Sequence, residues 1–239
     1  YRQSFALAPV PHTEWNMALA LLRAGMFDEG WRAYESRWRW EEFAFPQRGF
    51  AQPRWQGESL KDRSILVYAE QGFCDTLQFF RLVRLLLGQE RQVTFEVAPE
   101  LYPRLRHSLA HTQVRLILRA NDPRRLSEPV HFDVHCGLMS LFHLLRLDAR
   151  AMTWPGRYIV PTIASQEHWR CSLPDAADAR IGIVWAGRPE HYKDQDRSIT
   201  DLSLLQPLAE IKPVEWHGLQ VGAASSQIAR FPEYCVNHS

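Results

Sequence analysis

The chain has 239 residues, 46% of them hydrophobic, and its 28 basic and 27 acidic side chains give a formal net charge of +1. The apolar content supports a packed core and excludes an intrinsically disordered chain. The length suits one large domain or a domain with attachments. The near-neutral charge gives no electrostatic reason to expect nucleic acid or an anionic membrane as partner. No apolar run is long enough to predict a transmembrane segment.

Four cysteines, at Cys74, Cys136, Cys171 and Cys235, lie far apart and form no Cys-x-x-Cys pair. Their spacing predicts neither a zinc site nor a disulfide framework. We predict free, buried thiols in a reducing compartment, and therefore a cytoplasmic protein. The chain begins without Met and without a signal-peptide pattern, which predicts a fragment of a longer protein.

The first 45 residues are predicted to form a helical hairpin. Apolar residues recur at helical spacing over residues 15–22, and Gly25 is suited to end that helix in a left-handed conformation. The second helix then carries Trp31, Tyr34 and Trp38 on one apolar face.

This hairpin resembles a tetratricopeptide repeat in seven positions. They are Asn16, Ala18, Leu21, Gly25, Phe27, Gly30 and Tyr34. The resemblance implies a surface for a protein partner, although an ordinary helical hairpin also fits the pattern. Because one repeat cannot bury its own apolar face, we expect it to dock on the following domain or on repeats upstream.

Residues 46–162 are predicted to form a Rossmann-like α/β domain. After a connector rich in Pro, Gly and aromatic residues, expected to pack on a neighbour, apolar strands alternate with helices. The predicted strands cover residues 65–69, 93–97, 114–118 and 132–136. The predicted helices cover residues 75–87, 101–109 and 138–147. This alternation is typical of a doubly wound parallel sheet.

Residues 163–239 are predicted to begin a second α/β domain. A helix over residues 165–173, with Ser165 as its cap, precedes a strand over 180–185 and a charged loop. A helix over 202–211 and a strand over 215–220 follow. One or two such units cannot complete a doubly wound sheet, so we expect a partial domain.

The first candidate site is the loop from Glu70 to Asp75, which follows the first strand. Ligands of parallel sheets bind beyond the carboxyl ends of the strands. Gly72 is expected to allow a tight turn and close approach of a ligand. Asp75, at the start of the next helix, has two possible roles: an N-cap, or a general base that deprotonates an acceptor hydroxyl.

Residues 68–79 resemble the opening motif of bacterial tetratricopeptide–glycosyltransferase fusion proteins. Their catalytic part is similar to family 9 glycosyltransferases, the heptosyltransferase type, whose fold is GT-B. The resemblance implies that Asp75 is the catalytic base and that Gln71 and Gly72 contact substrate. Cys74 stands where the family has a second Gly. Its side chain is expected to narrow the loop and to disfavour a positive φ.

Residues 183–199 resemble the family stretch that opens the nucleotide-sugar domain. Six positions of this stretch are candidate donor-binding residues. Four match the family pattern: Gly187, His191, Arg197 and Ser198. Two depart from it: Arg188 and Lys193. Lys193, Arg197 and Ser198 are suited to a diphosphate, since two cations and a hydroxyl can neutralise and orient it. The alternative is a solvated loop with local ion pairs. Gln220 matches a third, shorter family stretch.

The resemblance implies a metal-independent glycosyltransferase that needs no cofactor and uses a nucleotide-sugar as co-substrate. The sequence indicates no particular acceptor. The alternative function is a catalytically inactive interaction or scaffold module built on the hairpin. The histidines in the α/β region show no metal-ligand spacing and are predicted to be surface or core residues.

Overall fold

The computed structural model describes residues 2–43, 45, 47–88, 92–122, 124–147, 156–173, 179–190, 194–211, 214–230 and 235–237. The chain divides into two compact units, Tyr1–Ile163 and Ala164–Ser239. The first unit contains the helical hairpin and a parallel sheet, and the second contains a smaller parallel sheet.

The hairpin consists of helices α1 (Arg2–Leu7), α2 (Pro11–Arg23) and α3 (Phe27–Tyr34), and a 3-10 helix, Glu35–Arg39, continues α3. Gly25 has φ +77 just after α2, and the Met26 N–H donates to the Leu21 carbonyl at 2.9 Å. The predicted glycine stop is therefore confirmed. A Cβ on Gly30 would lie 2.7 Å from the Leu22 side chain, so this glycine allows the two helices to approach closely.

The apolar face of the hairpin docks on the sheet that follows it in the chain. Trp31, Tyr34 and Trp38 are all buried, as the helical spacing predicted. The Trp31 ring lies 5.3 Å from that of Phe79 and 5.2 Å from that of Phe142, centroid to centroid. These contacts place the hairpin in the same hydrophobic core as the sheet.

The first sheet has four strands, all parallel. They are β1 (Ser64–Tyr68), β2 (Gln92–Val97), β3 (Arg115–Leu118) and β4 (Val134–Gly137). Their order is β3-β2-β1-β4, so the direction of winding reverses between β1 and β4. The predicted α/β class and parallel sheet are confirmed, and the reversal marks the place where such sheets usually bind ligands.

Helices cover one face of this sheet and the connector covers part of the other. The helical elements are α4 (Phe73–Phe79), the 3-10 helix Phe80–Leu86, α5 (Tyr102–Ser108), the 3-10 helix Leu138–Ser140 and α6 (Leu141–Leu144). The predicted helices over 75–87 and 138–147 are therefore partly 3-10, and the second is shorter than predicted. On the other face, the Phe50 ring of the connector lies 5.2 Å from that of Phe132, which confirms that the connector packs on a neighbour.

The second unit has helix α7 (Ile163–Ser172), which begins just before it, and three parallel strands in the order β5-β6-β7. The strands are β5 (Ala179–Ile183), β6 (Val214–Gly218) and β7 (Cys235–Asn237). The remaining helical elements are the 3-10 helices Asp194–Asp196, Leu202–Leu205 and Ala223–Arg230, and α8 (Gln206–Ala209). Ser165 lies inside α7, so its predicted capping role is wrong. A small core forms around Trp185, Leu202 and Trp216.

Cys74, Cys136 and Cys171 are free thiols. Cys136 is buried in β4, but Cys74 and Cys171 are exposed, so the prediction of buried thiols is wrong for these two. Among the described residues, no helix is long and apolar enough to cross a membrane, and no group of three or more His, Cys, Asp or Glu side chains could hold a metal ion.

Candidate functional site

The loop after β1 turns at Gln71 and not at Gly72. Gln71 has φ +61, whereas Gly72 is extended, with φ −84 and ψ 174, and is the N-cap residue of α4. The expectation that Gly72 provides the tight turn is therefore wrong. The Gln71 Nε2 donates a hydrogen bond to the Tyr34 hydroxyl at 2.5 Å, which ties the turn to the hairpin.

Asp75 is the third residue of α4, one turn after the N-cap. Its Oδ2 accepts a hydrogen bond from the Gly72 N–H at 3.0 Å, and the Thr76 hydroxyl donates to the Gly72 carbonyl at 3.0 Å. The carboxylate thus closes the first turn of the helix from within it, which corrects the predicted N-cap position. Asp75 is half-buried, and among the described residues no hydrogen-bond donor contacts its second oxygen.

Cys74 does not narrow the loop. It is the second residue of α4, where the backbone is helical, and its side chain is exposed. The conformation with positive φ belongs to Gln71, three residues earlier. The expected conflict between a side chain at this position and a positive φ therefore does not arise.

Glu70, the residue before the turn, is fully buried in an ion pair with Arg37 of the hairpin. The Arg37 Nε and Nη2 donate to the two carboxylate oxygens of Glu70 at 3.2 and 2.9 Å. Both side chains have 0% exposure. Burial alone would lower the pKa of Arg37, but the neighbouring carboxylates of Glu70 and Glu35 raise it above its usual value. The guanidinium therefore stays charged.

Further hydrogen bonds join this pair to the start of the segment after β4. The Met139 N–H donates to the Glu70 Oε1 at 3.0 Å, and the Arg37 Nη2 donates to the Ser140 hydroxyl at 2.8 Å. The Ser140 hydroxyl in turn donates to Glu35 at 3.0 Å. We call Arg37, Glu70, Glu35 and Ser140 the clamp. It lies at the reversal point between β1 and β4.

The face of the sheet that the connector covers carries a second buried ion pair. The Arg48 Nη2 lies 2.6 Å from the Glu96 Oε2, and both side chains are fully buried. Burial raises the pKa of Glu96, and Arg48 opposes the change. His135 lies nearby; burial, together with Arg54 and Arg48, lowers its pKa to about 4.

Sequence reasoning missed both buried pairs, although each left a signal. Glu96 interrupts the apolar strand β2, and Arg37 lies three residues after Tyr34 and next to Trp38, two residues of the predicted apolar face. A charged residue inside an apolar pattern is rarely buried unless it is paired. The partner of each could not be read from spacing, because Arg37 and Glu70 are 33 residues apart.

In the second unit, the loop after β5 is closed by the Ser198 hydroxyl and the Asp194 carboxylate. The Ser198 hydroxyl accepts from the Gly187 N–H at 2.8 Å and donates to the Asp194 Oδ1 at 2.6 Å. A Cβ on Gly187 would lie 3.0 Å from Asp194 and 3.5 Å from the Arg197 Nη2, so a larger residue would crowd the loop.

Gln220 is a buried residue that follows β6, and its side-chain amide contacts this loop. Its Oε1 accepts from the Trp185 and Ala186 N–H groups at 3.0 and 2.9 Å. Its Nε2 donates to the Ala186 and Val221 carbonyls at 3.1 and 3.0 Å. Gln220 therefore has a structural role that links the ends of β5 and β6, and its amide is fully used there.

The charged candidates of this loop differ in their contacts. The Arg188 Nε pairs with the Glu190 Oε2 at 3.0 Å, and both are highly exposed, as expected for a solvated loop. Arg197 is exposed, and among the described residues no carboxylate pairs with it. His191 and Lys193 lie outside the described residues. The structure thus brings Gly187, Arg197 and Ser198 together and leaves Arg188 in a local ion pair.

Comparison with known proteins gives one distant similarity. The chain is 24% identical over 223 residues to "Protein FlbA" of Caulobacter vibrioides, a match that covers 89% of this chain and 37% of the relative's length. No protein-family model matches the chain, and no solved structure matches it.

Proposed function

We propose that the chain is part of a metal-independent, cytoplasmic glycosyltransferase of GT-B type, in which a tetratricopeptide-like hairpin precedes the catalytic units. The observation that carries the proposal is the state of Asp75. It lies beyond the carboxyl end of β1, it is half-buried, and only one of its oxygens is used to cap α4. The second oxygen is available to an acceptor hydroxyl.

In this proposal the acceptor oxygen attacks the anomeric carbon of a nucleotide-sugar. The bond from that carbon to the diphosphate oxygen breaks, the acceptor proton passes to Asp75, and the nucleoside diphosphate leaves. The hydrogen bond from the Gly72 N–H holds the carboxylate in place while it accepts the proton. Such positioned proton transfer contributes a rate factor of about 10² to 10⁴.

The second unit would bind the leaving diphosphate. Arg197 is the most suitable group in the described part of this loop, because it is exposed and no carboxylate there neutralises it. The Ser198 hydroxyl already donates its hydrogen to Asp194, so we assign it to shaping the loop around Gly187. His191 and Lys193 stay predicted donor-binding residues.

The test combines nucleotide-sugar binding with sugar transfer, on this chain and on any longer protein that contains it, which we call the parent. Calorimetric titration with UDP-, GDP- and ADP-sugars should identify a donor. Replacing Asp75→Asn keeps an oxygen for the Gly72 N–H and removes the base, so transfer should fall about 10²-fold or more while unfolding is nearly unchanged. Asp28→Asn, an exposed acid in the first turn of α3, is the matched control and should keep full activity.

Arg197→Ala should weaken donor binding about tenfold in the same titration, with Arg170→Ala on α7 as the control. Absence of binding by a folded parent would overturn the enzyme proposal. Retained transfer in the Asp75→Asn variant would reduce Asp75 to a helix cap.

A second candidate function, an inactive interaction module, is favoured by the outer surface of the hairpin. Leu7 on α1 is 88% exposed, and Val10, Leu19 and Met26 also present exposed apolar side chains. Such side chains are suited to contact another protein. If the folded parent binds no nucleotide-sugar, this function becomes the better account of the chain.

A further inference from the structure

We infer that the hairpin positions the loop that carries Asp75, with Arg37 and Tyr34 as positioning residues. The catalytic consequence rests on the proposed function, but the mechanical coupling does not. Both residues contact the segment between β1 and α4 directly, and neither contact is needed to bury the apolar face of the hairpin, which Trp31 and its neighbours already bury.

The clamp joins the ends of two strands at the reversal point of the sheet. Arg37 lies where the winding of the sheet reverses, with Glu70 after β1 on one side and Ser140 after β4 on the other. A Cβ on Gly137, the last residue of β4, would lie 2.5 Å from the Glu70 Oε1 and 2.7 Å from the Trp38 ring. The glycine therefore leaves the space that the Glu70 carboxylate and Trp38 fill.

The backbone leads directly from the clamp to Asp75. Glu70 is followed by Gln71, whose φ of +61 is unfavourable for a residue with a side chain. Such a conformation persists only where the surroundings hold it. Arg37 of the hairpin holds the Glu70 carboxylate, and the Tyr34 hydroxyl holds the Gln71 side chain. The next N–H group, that of Gly72, is the one that orients the Asp75 carboxylate.

Tyr34 also interacts electrostatically with the clamp and with Asp75. Burial raises the pKa of Tyr34, so its hydroxyl stays protonated, and the charges that act on it include those of Arg37, Glu70 and Asp75. Tyr34 is therefore within electrostatic range of the clamp and of the candidate base. The Tyr34 hydroxyl accepts a hydrogen bond from Gln71, so it can still donate its own hydrogen. It donates to the Met139 sulfur, which lies 4.0 Å from the hydroxyl oxygen.

The main test uses the variant Arg37→Met with Glu70→Gln. It removes the two fully buried charges together, and the amide oxygen introduced by Glu70→Gln can still accept from the Met139 N–H. Glu35, which also pairs with Arg37, is partly exposed to solvent and keeps its hydrogen bond from the Ser140 hydroxyl. Hydrogen exchange of the full chain should then show the Gly72 and Thr76 amides exchanging about fivefold faster or more, while the β2 amides are unchanged. Arg39→Met is the matched control, because Arg39 in the same 3-10 helix forms an exposed ion pair with Glu14.

Tyr34→Phe is the second variant, since it removes one hydroxyl and keeps the ring in the core. We expect about fivefold faster exchange at Gly72 and Thr76 alone. With a donor identified, kcat should fall while KM for the donor stays the same. Uniformly faster exchange across the unit, or no change at Gly72 and Thr76 in a folded variant, would overturn the inference.

The two proposals fail in different ways. If exchange increases at Gly72 and Thr76 but the wild-type parent transfers no sugar, the coupling stands and the proposed function is lost. If the wild type transfers sugar and Asp75→Asn abolishes it, but the Tyr34→Phe variant keeps its kcat and its exchange rates, the function stands and the positioning role is lost.

Discussion

The loops after β1 and β5 occupy corresponding places in the two units but are held by different means. The first is fixed by a buried ion pair, Arg37 with Glu70, supplied in part by a separate helical element. The second is fixed from within its own unit by the Gln220 amide and by the Ser198 hydroxyl, which donates to the Asp194 carboxylate, and no buried ion pair holds it among the described residues. Arg197 of this second loop lies at the surface.

The two loops therefore differ in whether their charged side chains hold the fold or are available to bind a ligand. Breaking one partner of a buried ion pair leaves an uncompensated charge and is strongly destabilising, whereas neutral hydrogen bonds contribute less each. In the first loop, the charged side chains of the clamp are committed to structure and Asp75 alone keeps a free oxygen. In the second loop, the hydrogen bonds that hold the backbone come from Gln220 and Ser198, so the exposed cation Arg197 can change without loss of the fold.

The largest effect that we expect in the second unit comes from Gln220→Ala. The change leaves the buried Trp185 N–H and the partly buried N–H and carbonyl of Ala186 without their partner, which should destabilise this unit by about 2–3 kcal/mol. Gln206→Ala, at an exposed position that starts α8, is the control and should change stability by less than about 0.5 kcal/mol.

Hydrogen exchange during urea titration would locate the effect, because the amides of β5 and β6 should lose protection while those of β1 and β2 keep it. If the Gln220→Ala variant unfolds at the wild-type urea concentration, the Gln220 amide does not hold the second loop and the contrast between the units fails.

A smaller effect concerns pH and the buried charges of the first unit. His135 has a folded pKa of about 4, below its ordinary value of 6.5, because burial and then Arg54 and Arg48 disfavour the charged ring. Between these values the unfolded chain binds more protons than the folded one, so stability falls as pH is lowered from about 6.5 to about 4. From about pH 7.5 to about pH 5, the loss should be about 2 kcal/mol.

The variant His135→Phe isolates this contribution, since it keeps an aromatic ring beside Phe50 and Phe132 and removes the titrating group. The measurement is the free energy of unfolding of the first unit at the two pH values. Between the two pH values the free energy of unfolding of the wild type should fall by about 2 kcal/mol more than that of the variant. An identical pH dependence in both proteins would show that His135 titrates normally.

Periodicity predicted the hairpin and the first sheet because their apolar residues follow regular spacing. Trp31, Tyr34 and Trp38 are buried as expected, and all four strands of that sheet lie close to their predicted ranges. Spacing could not predict the clamp, since ion pairs between distant residues depend on the packing of whole elements. The turn was also assigned to the wrong residue, because the hydrogen bond from Gln71 to Tyr34 supports a conformation that composition alone assigns to glycine.

The smallest expected effect comes from Cys74→Gly, which restores the glycine of the resembled motif. Cys74 is exposed within α4 and does not take part in the turn, so its side chain obstructs nothing that a glycine would open. We expect a loss of stability of no more than about 1 kcal/mol, since glycine is the poorer helix former, and a transfer rate within about twofold of the wild type. Cys136→Ala, at a fully buried position in β4, is the control and should destabilise by about 1 kcal/mol or more. A large gain in transfer by the glycine variant would mean that the loop after β1 is limited by its own sequence, and that the hairpin does not fully determine its shape.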